Sequence, residues 1–187
     1  MRDGYERPGS LRSLRRWTST PQFYLKTVDE AGEPIHGPTL DVIEATIKDA
    51  VPRWTSGMLG TPSVTRGTDT RAGVPGWVTV LFPATVATSF CGLSDVAVSG
   101  GTIQLSYHVP PNAPIQCRAP GVVIAPVVVR HEVGHALGLY HTGTDADVMR
   151  GGSWSDPNQL PSARELYHVA IAYQRPMGNL DPDTDPN

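Results

Sequence analysis

The chain has 187 residues, is 39% hydrophobic and 18% charged, and carries a formal net charge of -3. That length suits one domain with its own core, and the balance is ordinary for a soluble globular protein. It supplies neither the basic footprint of a nucleic-acid binder nor a polybasic patch for a membrane surface.

Residues 1–19 read as an N-terminal arm or linker, polar and carrying Arg2, Arg7, Arg12, Arg15 and Arg16. The arm has no apolar h-region, so no signal peptide is read there. TPQFYLKTV (20–28) is strand-like, and EAGEP marks a turn. From Thr39 to Trp54 the apolar residues Ile43, Ile47, Ala50 and Trp54 recur at helical spacing. Thr39 is the expected cap, and Pro52 is expected to end or kink the helix. PSVTRG (62–67), WVTVLF (77–82), ATVATSFCG (84–92) and GTIQLSYHV (101–109) are strand candidates, and PPNAP (110–114) breaks the pattern.

A second helix is predicted from Pro126 to Leu137, with proline at its first position and Gly138 just past its end. Ser162-x-x-Glu165 is a capping box that opens a third helix, whose apolar face is Leu166, Val169, Ala170 and Tyr173. Pro176 stops it. Residues 177–187 form an acidic, turn-rich tail, read as a frayed terminus. The order of elements predicts an α+β fold with a mixed sheet in one domain, residues 20–176. Gly (19) and Pro (18) agree, favouring many turns over a helical bundle. No apolar run approaches the ~20 residues that cross a bilayer.

Cys91 and Cys117 form no CxxC pair. Both flank a strand-like segment, and one disulfide is expected, which would suit a secreted domain; two buried free thiols are the alternative.

The stretch that carries chemistry is HEVGHALGLYH, His131 to His141. On a helix, His131 and His135 lie one turn apart on the same face, so two imidazoles can reach one ion at about 2.0–2.1 Å. Glu132 projects beside them, the position wanted for a general base. An unbroken helix would carry His141 to the opposite face; Gly138 permits a sharp turn that swings it back as a third ligand. At this composition HExxH alone arises by chance in roughly 0.6% of such chains, and the full pattern with its glycine in roughly 0.002%. A core helix with incidental histidines is the bland alternative. His36, His108 and His168 stand apart in sequence and read as ordinary surface or satisfied histidines.

HEVGHALGLYH resembles the HExxHxxGxxH signature of the metzincin zinc endopeptidases. Met149, eight residues after His141, stands at the spacing of a matrixin-like Met-turn, and Thr142 stands where matrixins carry serine or threonine. The order of elements is also similar, over about residues 20–175. The resemblance implies a metzincin-like zincin domain: a twisted mixed sheet with two long helices, a Met-turn and a C-terminal helix. It implies one catalytic Zn2+ held by His131, His135 and His141, with Met149 packed beneath the ligands. The reaction implied is peptide-bond hydrolysis by a metal-activated water, with Glu132 as general base. A protein or peptide substrate would lie extended along a sheet edge, placed at about residues 84–92. Val127 and Trp154 are the residues expected to shape the S1′ pocket.

Some features depart from the family. There is no PRCGxPD-type cysteine switch, and the loop that binds structural zinc and calcium in animal matrixins has no clear counterpart, which leaves structural Ca2+ open. RGGSW follows Met149 where an aromatic-proline wall is usual. The expected protein is a secreted or extracytoplasmic monomer whose leader is not present in this chain. The competing readings are a metzincin-like module that binds peptide or protein with little turnover, and a purely structural zinc site.

Overall fold

A computed structural model of the chain describes residues 16–84, 90–97, 99–108, 117–118 and 124–174. The expectations for the arm before Arg16, the PPNAP break, the acidic tail and most of the 84–92 strand fall outside those residues.

The described strands form one five-stranded sheet. Its members are β1 (Gln22–Lys26), β2 (Val64–Gly67), β3 (Trp77–Leu81), β4 (Gly92–Ala97) and β5 (Gly100–Leu105), in the spatial order β2-β1-β3-β5-β4. β1 runs parallel to β2 and β3, and β3 parallel to β5; only β4 is antiparallel, paired with β5. In β1 and β3 consecutive residues are buried, Phe23-Tyr24-Leu25 and Val78-Thr79-Val80, as strands covered on both faces require. Phe23, Leu25, Val78 and Val80 belong to the main core. On the other face Tyr24 meets Trp77 edge to face at 6.4 Å, with the Arg71 guanidinium 5.5 Å from the Tyr24 ring.

The helices are α1 (Gly37–Trp54), α2 (Pro126–Ala136) and α3 (Ala163–Gln174). α2 lies against α1, β4 and β5, which seats it between the other long helix and the sheet margin. Two details of α1 differ from expectation. The helix starts at Gly37 with His36 as its N-cap residue, and Thr39 sits inside the first turn, fully buried. Pro52 does not end the helix, which runs on to Trp54. So close to the C-terminus the proline removes a single ladder bond, and the Thr55 hydroxyl donates to Val51 O at 2.9 Å to help close the end.

At the sheet margin, Phe90 and Cys91 near the end of the 84–92 segment are irregular, and β4, the outermost strand of the described sheet, begins at Gly92. GLSDVA alternates half-buried and exposed residues and contains glycine, serine and aspartate, so its composition reads as loop. It is a strand because β5 pairs with it residue for residue, from Gly92 against Leu105 to Ala97 against Gly100. Cys91 and Cys117 form a disulfide at the start of β4. Ala125, the N-cap residue of α2, donates its N–H to Cys117 O at 2.9 Å, so the bridge ties the edge strand to the approach to α2.

Candidate metal centre

α2 carries His131 and His135 one turn apart, and the turn after the helix decides where His141 goes. Gly138 has φ +98°, a backbone conformation that glycine adopts at little cost. Gly138 N–H donates to His135 O at 2.9 Å and Leu139 N–H to Gly134 O at 3.0 Å, the paired bonds of a Schellman turn. The two remaining terminal carbonyls are met from elsewhere in the chain. Trp17 Nε1 donates to Ala136 O at 2.7 Å, and the Tyr173 hydroxyl to Leu137 O at 3.1 Å. A helix end closed at four carbonyls has a fixed direction of exit, and that exit brings His141 back towards α2.

The three Nε2 atoms converge. They stand 3.0 Å apart for His131–His135, 3.1 Å for His131–His141 and 3.2 Å for His135–His141. The opposite ring nitrogens of the two helical histidines are occupied: His131 Nδ1 donates to Val148 O and His135 Nδ1 to Leu139 O, each at 2.8 Å. A neutral imidazole with its hydrogen on Nδ1 presents a bare lone pair at Nε2. Lone pairs facing one another at this distance repel unless a cation sits among them. Ligands about 2.05 Å from a tetrahedral ion would stand about 3.3 Å apart, close to the observed spacing. The residues therefore fit a metal ion, and they are the one cluster of His, Cys, Asp or Glu side chains among the described residues that could hold one.

Electrostatics keep the donors neutral. Burial, the neighbouring His135 and His141 together lower His131 to about 3, against the Val148 bond that raises it. Burial lowers His135 to about 4, and burial also lowers His141. His131 and His135 therefore stay uncharged and able to coordinate well into the acid range.

Glu132 is buried, 3% exposed, and burial pushes its carboxyl up to about 7, with the Ser94 hydroxyl acting in the opposite sense. Ser94, on β4, donates to Glu132 Oε2 at 2.7 Å and also lies 3.1 Å from Glu132 O. Sequence reasoning missed Ser94 altogether, because its strand was not recognised.

Met149 is 1% exposed, and its sulfur lies against Gly134 on α2 so closely that a Cβ there would collide with it. Two carboxylates fix this turn. Glu165 on α3 accepts the N–H groups of Met149 (2.7 Å), Val148 (3.1 Å) and Ser162 (2.8 Å), while Glu165 N–H returns to Ser162 Oγ at 3.1 Å. The predicted capping box is thus present, and its glutamate also holds the methionine turn. Asp147 accepts from Thr142 Oγ1 (2.8 Å), Ser162 Oγ (2.7 Å) and the Arg164 guanidinium.

Val127 is fully buried on α2. Trp154 is 6% exposed, packs edge to face on His131 at 5.0 Å, and donates Nε1 to Val148 O at 3.0 Å, the carbonyl that also receives His131. The structure therefore brings Trp154 to the rim of the histidine cluster as a packing partner. His36 is exposed, and His108 pairs with Asp29 at 2.6 Å, so neither joins the cluster.

A similar fold occurs among solved structures. The crystal structure of metalloproteinase-II from Bacteroides fragilis superposes with a TM-score of 0.51 at 11% sequence identity, over 90% of this chain and 56% of that one. The fold is metalloproteinase-like. The chain spans about half the length of that protein, 56%, and at 11% identity the likeness concerns the fold alone. A GM1-bound form of the ECX AB5 holotoxin matches 81% of this chain and 79% of its own, with TM-score 0.44 and 14% identity, too loose to inform the fold. No protein-family model matches the sequence, and no curated protein matches it.

Proposed function

We propose that the protein is a zinc-dependent endopeptidase of the metzincin type. The observation that carries this is the convergence of three neutral imidazoles, within 3.2 Å of one another, beside a buried carboxylate. His131, His135 and His141 would hold the ion, which leaves a fourth position open, as in catalytic rather than structural zinc sites. When bound, the ion supplies an acidified water and polarises the scissile carbonyl. Glu132 takes the proton from the attacking water and passes it to the leaving amine. A carboxyl raised towards neutrality suits both halves of that transfer.

A peptide substrate would lie extended along the free edge of β4, the outermost strand of the described sheet, adding main-chain hydrogen bonds there. The disulfide suits an oxidising, extracytoplasmic setting. No helix of the described residues is long and apolar enough to cross a membrane.

The test is hydrolysis of a fluorogenic peptide library by zinc-loaded wild type and Glu132→Gln. The variant is expected to keep its zinc and lose about 100-fold or more in kcat. Undiminished turnover with zinc in place would remove Glu132 from the base role.

A further inference from the structure

β4 faces α2 with alternate residues, and two of them touch the carboxylate that the proposed reaction uses. Gly92, Ser94 and Val96 are half-buried, while Leu93, Asp95 and Ala97 point outward. A Cβ built on Gly92 would stand 2.5 Å from Glu132 Oε1, 2.6 Å from Cγ and 2.7 Å from Cδ, so the strand backbone forms a wall against the side chain. Two residues on, Ser94 Oγ donates to Oε2 at 2.7 Å. The hydroxyl has one hydrogen to give, and the carboxylate oxygen is closer than Glu132 O at 3.1 Å. Glutamate has three side-chain torsions, and packing against the Gly92 backbone confines this one without orienting its carboxylate by a hydrogen bond. No other hydrogen bond reaches its carboxylate among the described residues. β4 is itself held by the β5 ladder and by the disulfide at Cys91.

We infer that Ser94 is a positioning residue for Glu132: the edge strand anchors the carboxylate through Oε2 and leaves Oε1 to handle the proton, with Gly92 providing the space. This rests on the peptidase reading above. It adds that the strand taken to bind substrate also sets the base, so main-chain pairing along β4 and base placement are linked.

The experiment uses zinc-loaded full chain labelled with 13C at the glutamate carboxyl carbons. Glu132→Gln identifies the Glu132 resonance by its loss. Ser94→Ala is expected to move that resonance, keep one zinc per chain, and lower kcat about 10-fold with KM nearly unchanged. Ser94→Thr, which keeps the hydroxyl, should restore both resonance and kcat. Gly92→Ala should displace the carboxylate and lower kcat with zinc retained. A resonance that Ser94→Ala leaves in place, or a kcat that it leaves at the wild-type value, overturns the positioning role. If wild type cleaves nothing while Ser94→Ala still moves the resonance, the peptidase reading fails, and the anchoring contact stands without it.

Discussion

His131 and Glu132 are buried with the half-buried His135 beside them, and their surroundings set opposite proton preferences. In the metal-free protein the fold favours a protonated Glu132, raised from 4.5 to about 7. That contribution is fully present below about pH 4.5 and is lost as pH rises through about 7. Metal-free wild type should therefore lose stability relative to metal-free Glu132→Gln across that window. The change is up to about 3 kcal/mol, flat above it, and readable by denaturant titration at several pH values. The lowered histidines act the other way: their contribution is present above about pH 6.5 and is lost as pH falls towards 4. Both proteins share that loss, so it cancels in the difference and shows instead as a common fall in stability on acidification. Replacing His141 with alanine removes one of three donors and should weaken zinc binding by more than about 100-fold, measured by competition with a chelator.

At the scale of elements, the methionine turn is held from α3. Glu165→Ala leaves the buried N–H groups of Val148 and Met149 and the part-buried N–H of Ser162 without their acceptor and should cost about 3 kcal/mol in chemical denaturation. The Val148 carbonyl that orients His131 moves with that turn, so zinc affinity should also fall about 10-fold. Within α2, Gly134→Ala gains helix propensity of about 1 kcal/mol but drives a methyl into Met149 and towards Trp54, 3.3 Å away. Both neighbours are buried and fixed, so net destabilisation is expected.

The same elements show what a sequence can disclose. α2, its glycine stop and the α3 capping box are local devices, written within a few consecutive residues, and they were legible. The histidine cluster was legible for the same reason: one helix turn and one Schellman turn fix its spacing. β4 was not, because its strand character comes from β5 and its composition resembles a loop. Ser94 was lost with it. The second role of Glu165 was also hidden, since a capping box says nothing of a turn sixteen residues earlier.

For the whole molecule, the disulfide and the proposed metal site bear on the same region from two sides. The Cys91–Cys117 bridge spans a sequence separation of 26, so replacing both cysteines with serine should cost about 3 kcal/mol through the unfolded chain's regained freedom. Zinc at a thousandfold excess over its Kd should add about 4 kcal/mol, seen as a fall in Tm on chelation and its recovery on zinc addition.

The most direct measurement is digestion of a denatured protein mixture by the purified chain, alone, with chelator, and with zinc restored, reading the new peptide termini by mass spectrometry. The expected result is internal cleavages that vanish with chelator and return with zinc. A chain holding one zinc that produces no new termini would contradict it and leave a module that binds peptide without cutting it.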